Sequence, residues 1–230
     1  MTTISTTSKP DATGITKAAS VIDETERLFP VALRLPDSAI AEGVAACEDW
    51  FWEVCTANQD RPWSIELNGS GELELMPTYA YGERREFRLV YAVETWNIAN
   101  DNPGMTTGPS AAYFMSNGAI RGPDAAWTPN ENIVPPRSEP PRTWPFCPDF
   151  IAEARSDAPS SIDHLLEKMR EYMENGARLG WLIDPMERTV RVYRAGVDEP
   201  ELLTEPETLD GEEVLPGFTF AVRELIFDLN

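Results

Sequence analysis

The sequence predicts an α/β fold: a mixed β-sheet flanked by helices, with hairpin extensions on its N-terminal side. Three observations carry this. The apolar run Phe150-Ile151-Ala152 reads as a strand. "SSIDHLLEKMREYMENG" (160–176) then reads as a helix, and "LGWLIDP" as a buried-type strand. A strand–helix–strand unit of this kind, here residues 149 to 185, makes a parallel, right-handed crossover. Around it lie segments with the alternation and Asn-Gly turns of antiparallel hairpins.

Residues 1–36 are expected to be a flexible tail, and residues 37–230 a single domain. The opening "MTTISTTSKPDATGITKAAS" is Ser/Thr-rich without an apolar core, unlike a secretory signal. "DSAIAEGVAACEDWFWEVCTAN" (37–58) reads as an amphipathic helical region. In "WSIELNGSGELELMP" (63–77), Ile65 and Leu67 alternate with polar residues, Asn68-Gly69-Ser70-Gly71 turns, and Leu73 and Leu75 alternate again. That is a hairpin. "ERREFRLVYAVETWNIAN" (83–100) carries Phe87, Val90 and Tyr91 at helical spacing, with Trp96 beyond. A second hairpin is expected around Asn117-Gly118. The stretch 128–148 is too rich in proline for a helix or central strand and reads as a surface excursion.

The helix at 160–176 is the strongest element. Ser160 is a candidate cap with Asp163 three residues on. Ile162, Leu165, Leu166, Met169, Tyr172 and Met173 form one apolar stripe, and Gly176 is the stop signal. "RTVRVYRAG" alternates as a hairpin partner for "LGWLIDP". "LPGFTFAVRELIFDLN" adds a short strand and a terminal helical turn.

Of the 230 residues, 42% are hydrophobic, enough for a real core, and no window approaches a membrane span. Acidic residues outnumber basic ones, 39 to 19, for a formal charge of −20. Such a field repels polyanions, which counts against nucleic-acid binding unless a local basic groove or bridging metal ions are present. Cys47, Cys55 and Cys147 have no metal-ligand spacing and point to a reducing cytoplasm. The single histidine, His164, leaves a zinc site or a Ser-His triad unsupported and reads as a surface residue.

Three charged residues sit where packing alone does not ask for them. Asp124 follows a proline at the end of a hairpin strand, Glu153 lies inside an apolar strand, and Lys168 borders the helix stripe. Lys168 is also the only lysine after Lys9 and Lys17. Two carboxylates on neighbouring strands suit a hard divalent cation, and a nearby lysine can orient water or steady developing charge. Each residue alone has an ordinary reading as well: a turn aspartate, a solvent-facing strand glutamate, a snorkelling lysine.

The stretches "SIELNGSGELELMP", "GAIRGPDAAW", "CPDFIAEARS", "LLEKMREYMENGARLGWLIDP", "RTVRVYR" and "VLPGF" resemble the Uma family of restriction-endonuclease-like proteins. That family is similar to the PD-(D/E)XK nucleases. The resemblance covers about residues 50 to 225 and is dense from 117 to 194. It implies a restriction-endonuclease-like mixed sheet, Mg2+ or Mn2+ as cofactor, DNA as substrate and a homodimer. It implies metal ligands at Asp124, Glu153 and the carbonyl of Ala154. The lysine usual two residues after the glutamate is replaced by Arg155, expected to contact phosphate or brace Glu153. Lys168 fits the slot of a lysine supplied by the following helix. Glu83, Glu86 and Glu94 are candidates for an acid on the first core helix, with Glu86 preferred. The rival reading is a catalytically silent binding or regulatory dimer with the same fold, favoured by the charge. A metal-free carboxylate-pair hydrolase leaves Lys168 unexplained.

Overall fold

A computed structural model of the chain describes residues 31–42, 44–58, 63–77, 80–139, 142–156 and 162–229. In chain order the elements are β1 (Val31–Arg34), α1 (Asp37–Glu42), α2 (Val44–Ala57), β2 (Trp63–Leu67), β3 (Glu72–Pro77) and α3 (Ala80–Ala99). Then come β4 (Gly104–Thr107), β5 (Tyr113–Phe114), β6 (Ile120–Arg121), β7 (Ala125–Pro129), β8 (Phe150–Ala154), α4 (Asp163–Glu174) and β9 (Leu179–Asp184). The chain closes with β10 (Thr189–Arg194), β11 (Glu201–Thr204), β12 (Leu209–Asp210), β13 (Thr219–Phe220) and a π-helical turn at Arg223–Phe227.

The larger sheet has six strands in the order β11-β10-β9-β8-β7-β4. All its pairs are antiparallel except β8 with β9, which α4 connects in the expected parallel manner. A smaller sheet, β1-β3-β2-β6-β5, unites the two predicted hairpins. Gly118 turns the second of them at φ +90°, a conformation that glycine adopts without Cβ strain.

Strand alternation sorts β8 between two faces. Phe150 and Ala152 join Leu89, Val93 and Trp96 of α3, with Trp181, Phe218 and Phe220, in one core. Ile151 points the other way, to Met169 and Tyr172 of α4. A residue two places beyond Ile151 must therefore also face α4, and that residue is Glu153. The α4 stripe lands as the periodicity requires: Met169 and Tyr172 are fully buried, and burying one such side chain is worth roughly 1.5–3 kcal/mol. Gly176, at φ +113°, ends the helix.

Several expectations need correction. The chain from 31 to 34 is not tail but the edge strand β1, paired with β3; residues 1–30 lie outside the described residues. Helix α4 starts at Asp163 with Ile162 as its cap residue and no side-chain cap; Ser160 lies outside the described residues. On α3 the spacing of Phe87 and Tyr91 marks the outer face, where they are 68% and 64% exposed; the sheet takes Leu89, Val93 and Trp96. Two apolar stripes share one helix, and periodicity alone does not say which is covered. The end of the Pro-rich stretch also tucks in. Trp144 bonds Ala112 and Phe114 through its backbone, and Thr143 is buried.

Candidate functional site

The centre of the site is a buried ion-pair cluster beneath α4. Lys168, one turn before Tyr172, is 2% exposed, and Glu153 on β8 is 3% exposed. Lys168 Nζ lies 2.8 Å from Glu153 Oε1 and 2.8 Å from Glu66 Oε1 of β2, and it donates to the Gly122 carbonyl at 3.1 Å. Its hydrogen bonds go to Glu66 and Gly122, and Glu153 completes the cluster as an ion pair. The Tyr172 hydroxyl donates to the same Glu153 Oε1 at 3.3 Å.

Asp124 immediately precedes β7. Since Ala125 pairs with Ala152, the next step in the antiparallel register sets Asp124 opposite Glu153. Its Oδ2 accepts the Ala154 backbone N–H at 2.7 Å. Each of these carboxylates thus has one oxygen fixed by the protein. Among the described residues no hydrogen bond reaches the other, Glu153 Oε2 or Asp124 Oδ1.

The electrostatics follow from burying more carboxylates than cations. Burial, reinforced by the charge of Glu86, pushes Asp124 up to about 7 despite Lys168 and the Ala154 N–H. Burial, reinforced by Asp124 and Glu66, pushes Glu153 up to about 8 against the pull of Lys168. Glu86 of α3 is also raised, by burial and then by Glu153 and Glu83, which places it within electrostatic reach of the pair. Lys168 goes the other way. Burial alone would lower it, but Glu153, Glu66 and Asp124 hold it above the ordinary lysine range. The three carboxylates around it therefore favour the ammonium form.

Glu153 and Lys168 therefore lie together with Asp124 beside them, and Glu86 lies nearby. Ala154 is adjacent, with its N–H committed to Asp124. Arg155 does not brace Glu153 as expected. Its Nη1 pairs at 2.8 Å with buried Asp184 at the end of β9, whose other oxygen caps the turn at Met186 and Glu187. His164 is not simply a surface residue; its Nε2 is 3.5 Å from Glu74 Oε2.

Sequence reasoning missed the other half of the cluster. Arg121 is buried and bonds Glu66 at 3.1 Å, Glu74 at 2.5 Å and Glu171 of α4 at 2.6 Å. A signal was present. Glu66 and Glu74 face each other directly across the β2–β3 hairpin, and like charges so placed are unfavourable without a cation between them. An open cavity of about 680 Å3 lies elsewhere, near the start of β8, bordered by Phe146, Cys147, Asp149 and Arg178 and by none of the site residues.

Among the described residues no three His, Cys, Asp or Glu side chains form a ready cage for a metal. The donor set still fits a hard divalent ion. Asp124 and Glu153 each keep one oxygen that no described residue bonds, with Glu66 and Glu86 close by, and magnesium characteristically binds through one or two carboxylates while keeping waters.

Residues 51–223 match the family described as "Uma2: Putative restriction endonuclease". The fold is similar to that of a solved "putative nuclease belonging to DUF820" from Anabaena variabilis ATCC 29413, with a TM-score of 0.60 at 19% sequence identity. The similarity covers 72% of this chain and 90% of that one. Among curated proteins no relative matches.

Proposed function

Because the chain belongs to the Uma2 family of restriction-endonuclease-like proteins, we propose that it is a Mg2+- or Mn2+-dependent endonuclease hydrolysing DNA phosphodiester bonds. The observation that carries this reading is the buried contact between Lys168 and Glu153, made from a helix to the strand it covers, with Asp124 opposite in the register.

The ion would be held by Asp124, Glu153 and the Ala154 carbonyl. When bound, it supplies Lewis-acid polarisation of a phosphoryl oxygen and lowers the pKa of an attacking water. The protein's own groups do the rest. The Ala154 N–H fixes Asp124, and Lys168 with Tyr172 fixes Glu153 Oε1, so each carboxylate keeps one oxygen for the ion. Glu86 adds negative potential from α3. Lys168 provides a fixed positive charge beside the phosphoryl group, where negative charge grows in the transition state. Held among Glu153, Glu66 and the Gly122 carbonyl, the ammonium acts electrostatically and by orientation.

Calorimetry with Mn2+ tests the metal site: one site is expected, lost in both Asp124→Ala and Glu153→Ala. DNA cleavage with Mg2+ or Mn2+ must be lost with it. A chain that binds no metal and cleaves no DNA would favour the second reading, a binding or regulatory protein, which the net charge of −20 supports.

A homodimer is part of the proposal. Phe87 and Tyr91 stack at 6.1 Å on the outer face of α3, with exposed Ile98 further along. Antiparallel packing of a second copy about Tyr91 would set Arg88 of one copy opposite Glu94 of the other. Among the described residues no helix is long and apolar enough to cross a membrane.

A further inference from the structure

Glu66 is 5% exposed, and no step above uses it. It comes to the site from the smaller sheet, 102 residues before Lys168 in the chain. Its two oxygens are occupied. Oε1 accepts from Lys168 Nζ at 2.8 Å and from the Gly122 N–H at 3.2 Å, and Oε2 accepts from Arg121 Nη1 at 3.1 Å. Glu153 and Asp124 each have an oxygen without such a bond; Glu66 has none. Its chemistry is that of an anchor, not of a metal ligand.

The anchor has a clear task. A lysine side chain is long and flexible, and fixing its ammonium costs conformational entropy. Two of the three acceptors that hold it, Glu66 and the Gly122 carbonyl, lie on the side of the smaller sheet. Glu66 is itself clamped by Arg121, which also grips Glu74 and Glu171. Without Glu66 the ammonium would be free to swing toward the open carboxylate oxygens and compete with a cation there.

Resting on the nuclease reading above, we propose that Glu66 is a positioning residue: it pins the Lys168 ammonium against Glu153 Oε1 and so leaves Glu153 Oε2 and Asp124 Oδ1 for the metal. Glu66 acts through Lys168 and does not bind the metal or the substrate.

The test is a double-mutant cycle in kcat for DNA cleavage at saturating Mn2+. Glu66→Gln, which keeps an acceptor but drops the charge, is expected to lose about tenfold, and Glu66→Met about 100-fold, with KM for DNA unchanged. In a Lys168→Met background neither substitution is expected to add more than about twofold. Losses that multiply would overturn the proposal. So would equal losses for Gln and Met, because the retained acceptor must rescue part of the effect.

A second measurement needs no activity. The chain has only Lys9, Lys17 and Lys168, so acetylation by an amine reagent, read by mass spectrometry, reports each lysine separately. Lys168 is expected to react at least about 100-fold more slowly in the folded protein than in the urea-unfolded chain, as a buried group exposed only by local opening. Glu66→Met is expected to raise the Lys168 rate about tenfold while Lys9 and Lys17 serve as internal standards. Glu66→Gln takes its place, with a smaller rise, if the Met variant does not fold. An unchanged Lys168 rate in a folded variant refutes the positioning role. If the wild type cleaves no DNA, the nuclease reading fails, and the labelling still decides what Glu66 does.

Discussion

Replacing Lys168 with methionine keeps the aliphatic stem and deletes the ammonium. Three contacts disappear, those to Glu153, Glu66 and the Gly122 carbonyl. Removing one partner of a buried ion pair costs about 3–5 kcal/mol, because the surviving charge stays desolvated. Here the loss is cushioned on both sides. Glu66 retains Arg121 and the Gly122 N–H, and Glu153, already pushed up to about 8, can take a proton. We therefore expect the low end, about 3 kcal/mol at neutral pH, or a fall in melting temperature of about 6–12 °C for a domain of this size. The cost must also depend on pH. In the variant Glu153 loses its cation and its pKa rises further, so the folded state holds the proton to higher pH than the unfolded state. Stability gained from that proton is lost as pH rises through the folded pKa. The gap between wild type and variant should widen from pH 6 to pH 8.5 in urea unfolding monitored by tryptophan fluorescence. DNA cleavage should fall by at least about 100-fold. A variant as stable as wild type at both pH values, and as active, would refute the claim that this ammonium organises the site.

Other outcomes follow from the same geometry. Since Asp124 and Glu153 titrate near 7 and 8 without metal, under the influence of Glu86, Glu66 and Lys168, Mn2+ binding should release protons and tighten from pH 6 to pH 8; calorimetry in buffers of different ionisation enthalpy measures this. Arg155→Ala, which strands buried Asp184, should cost about 2 kcal/mol in denaturant unfolding yet leave Mn2+ affinity intact. Glu74 goes the other way: burial opposes ionisation, but His164 and Arg121 prevail and hold it at about 2. Its folded pKa is depressed, so its stabilisation is present above the ordinary glutamate range and lost as pH falls toward 2; an acid titration by circular dichroism should be shallower in Glu74→Gln. Tyr91→Glu should shift a dimer to monomer in light scattering and leave the fold unchanged.

The parallel unit was legible in the sequence because its parts obey different periods: an apolar run for β8, a sharp stripe for α4, a terminal proline for β9. The hairpins were legible because their turns demand Asn and Gly. Glu153 and Lys168 stood out as charges out of place in apolar patterns, and the structure pairs them. Arg155 misled because sequence distance along a strand does not say which neighbour's carboxylate lies within reach; Asp184 on β9 does. Glu66 and Arg121 went unread because each sits in an unremarkable hairpin, and their partnership exists only once the two hairpins share a sheet. The covered stripe of α3 was misjudged because Phe87 and Tyr91 are as apolar as the residues that pack beneath them.

The grip of Arg121 on β2, β3 and α4 bears on how far this protein can be trimmed. A chain cut to begin after Pro77 would retain Asp124, Glu153 and Lys168 and every strand of the six-stranded sheet. It would nonetheless strip two acids from Arg121 and one from Lys168, leaving both cations short of counterions inside the fold. The smaller sheet is thus no detachable ornament: the shortest working unit must start upstream of Trp63.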